Sequence, residues 1–204
     1  MVLRIGILGP ANAGKDTVAD MIVEFFGGVV RKRAFADALY AEIAEAFEVS
    51  EDYLRDRKWK EKPSLRLSPR FCLDDAFIQV CREVGVSVMS ALSPRRVLEL
   101  WGTEYRRAQD ADYWVRRLVD KGGDVVISDV RFANELQVAT VPLIIRRPGH
   151  EVLRDHRSDT LWRRVEGVPE VWNTGTLDEL RKSVVDLLSA LPEEKTCIKS
   201  HSAV

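Results

Sequence analysis

The chain has 204 residues, is 46% hydrophobic and 31% charged, and carries a formal net charge of −1; this is a soluble, globular composition, long enough for one domain with a real core. Near-neutral charge argues against a protein that lives on nucleic acid through phosphate attraction, and the lack of a membrane-length apolar run or a signal-peptide pattern points to the cytoplasm with no membrane partner. Three scattered cysteines (Cys72, Cys81, Cys197) and three histidines make neither a disulfide framework nor a metal set, so Cys72 and Cys81 are expected as small buried residues in a reducing compartment.

The first predicted element is a strand over Leu3–Leu8, followed by the loop Gly9-Pro-Ala-Asn-Ala-Gly14-Lys15 and a helix over Lys15–Phe26. A Gly-x-x-x-x-Gly-Lys spacing between strand and helix is the pattern of a phosphate-cradling loop. Its glycines let several backbone N–H groups turn toward one anion, the helix adds its positive N-terminal end, and the lysine reaches the outer phosphates. Gly9, Asn12, Ala13, Gly14, Lys15, Asp16 and Thr17 are the candidate ATP contacts. Position 16 is Asp where Ser or Thr usually offers Mg²⁺ a hydroxyl. Two readings of Asp16 stand: its carboxylate holds Mg²⁺, which favours oxygen donors, or its charge merely favours the first helical turn.

Strands are next expected at 29–35, 124–129, 142–146 and 170–172. Helices are expected at 37–47, 51–60, 74–90, 94–108, 112–121, 133–139 and 177–191. This alternation is an α/β pattern with a parallel sheet of about five strands flanked by helices. Val125-Val126-Ile127 and Leu143-Ile144-Ile145 are continuous apolar runs, as in strands covered on both faces. Ser50, Ser93-Pro94 and the Thr176-Leu-Asp-Glu179 capping box mark helix starts. A single domain over 1–191 is expected, with a helical insertion at about 36–122. The stretch at about 148–168, with Arg154, Arg157, Arg163 and Arg164, reads as a lid or as a solvated helix paired through Asp155, Asp159 and Glu166. The tail 192–204 is polar and aperiodic, as in disordered segments.

Two further constellations carry chemistry. In Val125–Phe132 an apolar strand delivers Asp129 at its carboxyl end, the edge that faces ligands in open α/β sheets. A carboxylate there can hold Mg²⁺ through its waters, and Arg131 can reach a phosphate with Glu135 orienting it; alone, the same pattern is also an ordinary Asp–Arg pair. In Arg95–Arg107, apolar Val97, Leu98 and Trp101 fall at core spacing, as do Trp114 and Val115. Arg106, and after it Arg107, are the candidate acceptor-phosphate ligands, bidentate arginines suiting phosphates.

Gly9–Thr17, Phe35-Ala36-Asp37, Leu100-Trp101-Gly102-Thr103-Glu104, Tyr113-Trp114-Val115, Ser128–Glu135 and Asn173–Leu177 occur in that order. Over nearly all of 1–190 the chain resembles the phage-type deoxynucleoside monophosphate kinases, although Pro63–Leu73 matches no part of that pattern. The resemblance implies a P-loop kinase fold with an acceptor-binding insertion and a lid, in the host cytoplasm if phage-encoded, and it leaves a homodimer open. It implies transfer of the ATP γ-phosphoryl, with Mg²⁺, to the 5′-phosphate of a dNMP, without stable nucleic-acid binding. Lys15 and the loop would hold the β- and γ-phosphates and Thr17 an inner phosphate, with Asp16 and Asp129 placing Mg²⁺. Arg131 and Arg106, with Arg107, would fix the acceptor phosphate. Arg154 or Arg157 would meet the charge on the transferring group. Trp101 and Glu104 belong to the acceptor motif, and Asn173 and Gly175 to a loop near the adenine. Asp37 would face the acceptor or cap a helix. Tyr40, Trp59 and Phe77 would stack on the base or pack in the core. The competing readings are a dephospho-coenzyme A- or shikimate-type kinase, a nucleic-acid 5′-kinase, and a nucleotide-binding switch without transfer.

Overall fold

The computed structural model describes residues 2–150 and 161–192. Arg154 and Arg157, residues 151–160 of the expected lid, Cys197 and nearly all of the expected tail lie outside the described residues. Five strands, β1 (Arg4–Leu8), β2 (Arg31–Arg33), β3 (Val125–Ile127), β4 (Val141–Arg146) and β5 (Glu170–Trp172), form one sheet in the order β2-β3-β1-β4-β5. Every neighbouring pair is parallel, so the five-stranded parallel α/β sheet read from the sequence is present. Between strands run α1 (Lys15–Phe25), α2 (Phe35–Ala46), α3 (Glu51–Arg55), α4 (Asp75–Glu83), α5 (Pro94–Glu99), α6 (Tyr113–Val119), α7 (Ala133–Gln137) and α8 (Leu177–Ser189).

The chain divides into two compact units, Met1–Ala34 with Val119–Val204, and Phe35–Leu118. In the first, β1, β3 and β4 carry the core. Ile5, Ile7, Val126, Leu143 and Ile145 are fully or almost fully buried and pack with Val18, Ile22, Leu180, Val184 and Leu188 of α1 and α8. Leu8, Val125, Ile127 and Ile144, at the alternate positions, are buried as well, so both faces of the central strands are covered, which explains their unbroken apolar runs. Gly6 lets the turn after α7 come close: a Cβ there would lie 2.7 Å from that of Ala139.

The second unit is helical and centred on Phe47, Phe77, Trp101 and Tyr105, whose rings meet at 4.6–6.5 Å between centroids. Cys72 and Cys81 are buried in this unit as expected, and burial pushes both thiols up to about 11. Residues 63–73, which match no pattern in sequence, form two short 3-10 turns, Leu65–Leu67 and Pro69–Phe71. The fully buried Ser68 fastens them, donating from Oγ to the Val88 carbonyl at 2.7 Å.

Expected caps form: Ser50 Oγ accepts from Tyr53 N–H and Ser93 Oγ from Arg96 N–H. Thr176 and Glu179 close their capping box reciprocally, at 2.7 and 3.2 Å. Several helices are shorter than their periodicity suggests. The one expected over 74–90 stops at Glu83, because Val84 caps it and Gly85 turns the backbone into the left-handed region at φ 76°. The one expected over 51–60 stops at Arg55, where Asp56 leaves helical geometry. The helix expected over 94–108 is composite. After α5 the winding loosens into an eight-residue π-helix, Leu100–Arg107, which puts residues five apart on one side.

Candidate functional site

In the first unit, β1 and β3 are neighbours, Gly6 pairing with Ile127. The loop after Leu8 and the Ser128-Asp129 segment therefore leave the sheet at the same carboxyl edge, where ligands bind in open parallel sheets. Gly9 takes φ 144° and runs so close to β4 that a Cβ would lie 2.3 Å from the Ile145 carbonyl oxygen. Gly14 takes φ 100°, and a Cβ there would lie 2.7 Å from Asn173 Nδ2. Asn12, at φ 62°, supplies the remaining left-handed turn, a conformation asparagine tolerates. Both motif glycines are thus required by geometry. Gly9→Ala combines a forbidden dihedral with a backbone clash; it should lower stability by about 2 kcal/mol in urea unfolding and weaken nucleotide binding in the same preparation.

Lys15 opens α1 and its Nζ curls back, donating to the carbonyls of Gly9 at 2.9 Å and Pro10 at 2.8 Å. The ammonium therefore sits inside the turn of the loop. The first turn of α1 follows directly, and the N-terminal turn of a helix can receive an anion. Asn173, read from the sequence as an adenine-side residue, braces this loop: its Nδ2 donates to the Ala13 carbonyl at 2.9 Å, and its backbone N–H holds the Arg146 carbonyl at 2.7 Å. Gly175 stays small because a Cβ would lie 2.0 Å from Glu179 Oε2; the capping box needs that space. Beside it, Arg146 grips Glu170 through two hydrogen bonds, which hold that carboxyl below its usual range.

The Asp16 carboxylate is exposed and lies 3.3 Å from Lys32 Nζ of β2, which also reaches Asp20 at 3.0 Å. Nothing in the spacing of the motif announced Lys32. Among the described residues no three His, Cys, Asp or Glu side chains cluster as a metal cage. Mg²⁺ bound with a nucleotide does not need one, since it takes one or two carboxylates, phosphate oxygens and waters. Asp129 at the strand edge fits that role, and Asp16 fits it by exchanging its ion pair with Lys32. After Asp129, Arg131 is exposed. The buried Glu135 carboxylate accepts the backbone N–H groups of Arg131 and Phe132 at 2.7 and 3.1 Å. Glu135, expected to orient the Arg131 guanidinium, thus locks the backbone turn that delivers Arg131.

In the second unit the conspicuous chemistry lies around Glu42 of α2, whose side chain is 10% exposed. Its Oε2 accepts from Trp101 Nε1 at 3.0 Å and from Arg106 Nε at 2.9 Å. Its Oε1 accepts from the Tyr113 hydroxyl at 2.5 Å and lies 3.4 Å from Arg117 NH2. The Arg106 guanidinium lies over the rings of Tyr105, Tyr113 and Trp101 at 4.3, 5.1 and 5.5 Å. Burial opposes its charge, but Glu42 outweighs burial and raises its affinity for the proton. The Tyr105 hydroxyl donates to Asp74 Oδ2 at 2.9 Å. Burial, helped by that bond, pushes Tyr105 up to about 12 and Tyr113 in the same direction. Both phenols are held as neutral donors.

The other sequence candidates of this unit sit as follows. Trp101 is 1% exposed in the aromatic core and serves Arg106 and Glu42. Glu104 is exposed on the π-helix. Arg107 donates to the Ala111 carbonyl at 3.3 Å. Asp37 is the third residue of α2, not its cap, and its carboxylate pairs with Arg55 at 3.1 Å. Phe77 is fully buried and Tyr40 nearly so beneath Arg55, whereas Trp59 is exposed between Lys58 and Lys62.

No protein-family model matches the sequence, and no curated protein matches it. Among solved structures the chain is similar to TT1252 from Thermus thermophilus, with 19% identity and a TM-score of 0.51 over 94% of this chain and 98% of that one; this likeness is one of fold. A dephospho-CoA kinase from Campylobacter jejuni (14% identity, TM-score 0.45, 91% and 95% covered) and a sugar kinase from Janibacter sp. (11%, 0.36, 94% and 97%) also align, at scores that carry no argument. Among the described residues no helix is long and apolar enough to cross a membrane.

Proposed function

We propose that the chain is a small-molecule P-loop kinase and, more finely, one that transfers the ATP γ-phosphoryl to the 5′-phosphate of a deoxynucleoside monophosphate. One observation carries the reading: a loop with two conformationally obligatory glycines curls around Lys15 at the carboxyl edge of a parallel sheet, one strand away from Asp129. Phosphoryl transfer asks little covalent chemistry of the protein; it asks for alignment and for neutralised charge. Lys15 and the N–H groups from Gly14 to Thr17 hold the β- and γ-phosphates, Lys15 giving up its two carbonyls for phosphate oxygens. Asp129 and Asp16 hold Mg²⁺, which when bound supplies further charge neutralisation at those oxygens. Arg106 binds the acceptor phosphate, with Arg131 and Arg107 as further cations, and Arg154 or Arg157 meets the transferring group. The acceptor is already an anion near neutral pH, so the reaction uses no general base.

The test is ATP and Mg²⁺ with each deoxy- and ribonucleoside monophosphate, scored for diphosphate product. Product with one or more dNMPs is expected. Product only with dephospho-coenzyme A or shikimate would leave the coarser kinase reading and remove the finer one. Phosphate release indifferent to every acceptor would remove both in favour of a nucleotide switch.

A further inference from the structure

Arg106 is a poor anion ligand unless something fixes it, because a free arginine loses about 2 kcal/mol of rotamer freedom on binding. The structure supplies the fixing group. The Arg106 guanidinium uses Nε on Glu42 Oε2, while NH2 is 3.9 Å from Asp74 Oδ2, too far for a hydrogen bond. Asp74 is otherwise engaged, Oδ2 by the Tyr105 hydroxyl and Oδ1 by the Phe77 N–H. The two terminal nitrogens of Arg106 thus keep the fork that matches a phosphate, while three aromatic rings hold its plane. Glu42 is held in turn by the Trp101 indole, the Tyr113 hydroxyl and Arg117. The π-helix explains how Trp101 and Arg106 reach one oxygen: they are five residues apart, a single π-turn, whereas α-helical winding would rotate Arg106 away from Trp101.

We propose that Glu42 is the positioning residue of the acceptor site: it aims the terminal nitrogens of Arg106 at the acceptor's phosphate without touching the substrate. The inference rests on the proposed kinase reading. Its chemistry is asymmetric. Glu42 neutralises part of the Arg106 charge, which weakens attraction to an anion, yet it fixes direction, and a bidentate contact depends on direction. The inference therefore requires that removing the negative charge weakens acceptor binding. A purely Coulombic cluster predicts the opposite sign.

Glu42→Gln keeps the shape and removes the charge. We expect it to raise the dNMP Kd, measured calorimetrically without ATP, and the dNMP KM by about 20-fold, with the ATP KM within twofold of wild type. In an Arg106→Ala background the same substitution should change dNMP binding less than twofold, since the group it positions is gone. Tighter dNMP binding in Glu42→Gln would overturn the inference, as would unchanged binding or a penalty that persists in full without Arg106. Should Glu42→Gln fail to fold by near-ultraviolet circular dichroism, Tyr113→Phe removes one hydrogen bond from the same carboxylate; a roughly threefold loss that vanishes in Arg106→Ala is then expected, and no loss overturns the inference. The two readings fail separately. Wild type that phosphorylates a dNMP while Glu42→Gln behaves normally removes the positioning role alone. Wild type that transfers phosphate to no monophosphate removes the finer, deoxynucleotide reading, while Arg106-dependent loss of dNMP binding in Glu42→Gln still upholds the positioning role. Wild type that binds no dNMP removes both.

Discussion

Lys15→Met is expected to lower turnover with ATP about 10³-fold while leaving the protein folded. Both halves follow from the position of the side chain. Lys15 is the first residue of α1, and its ammonium is held inside the loop by two carbonyls, at 2.9 and 2.8 Å. A phosphoryl group gathers charge as it leaves one oxygen for another, and a fixed cation acts where that charge develops. Methionine matches the stem in length and helix propensity but brings no charge. The two carbonyl bonds lost are charge-assisted but partly exposed, about 1.5 kcal/mol each, so Tm should fall by about 10 °C in a chain of this size and the protein should stay folded. The loop is also braced independently of Lys15, by the bond from Asn173 Nδ2 to the Ala13 carbonyl, so its shape should survive. A coupled assay for ADP, read beside a thermal melt, checks both statements. Near-normal turnover in a folded Lys15→Met protein would remove the proposed role of the loop.

The parts legible in the sequence are those where local chemistry decides the outcome. Continuous apolar runs place β3 and β4, and a glycine-lysine spacing between strand and helix places the tight loop that curls around Lys15. Hydroxyl caps at Ser50, Ser93 and Thr176 form as written because a cap depends on residues three apart. Helix ends are less legible where the apolar pattern outlasts the helix, as after Glu83, because a left-handed glycine outweighs periodicity. The π-helix is invisible to a 3.6-residue reading, since Val97 and Leu98 of α5 and Trp101 just beyond it satisfy that period across the change of winding. The role of Glu42 is illegible for a different reason. It lies 59, 64 and 71 residues from Trp101, Arg106 and Tyr113, and no local spacing marks an acidic residue on α2 as the partner of a distant arginine. The loop-bracing bond of Asn173 is equally illegible, because it spans 160 residues to Ala13. A count would have offered one hint: arginines clustered in a neutral chain imply buried carboxylates nearby.

Arg106→Ala should raise the acceptor KM about 100-fold and change the ATP KM little. Two charge-assisted hydrogen bonds from one guanidinium to a phosphate are worth about 3 kcal/mol together, which is about a hundredfold in affinity. The competing explanation is structural, that Arg106 simply neutralises Glu42 and its removal unfolds the helical unit. Magnitudes separate the two. Removing one partner of a buried pair costs about 3–5 kcal/mol when the survivor is left unpaired. Glu42 is not left so: Trp101, Tyr113 and Arg117 still contact its oxygens, and the loss should stay near 1–2 kcal/mol. Arg106→Lys supplies the contrast. Lysine keeps the charge and would satisfy a structural need by meeting Glu42, but one ammonium cannot hold Glu42 and also present a planar fork to a phosphate. Acceptor KM should therefore stay raised by at least tenfold in Arg106→Lys while urea stability returns toward wild type. If lysine restored acceptor KM together with stability, charge balance around Glu42 would be the whole role of Arg106. If acceptor KM in Arg106→Ala were normal, the acceptor's phosphate would be bound elsewhere.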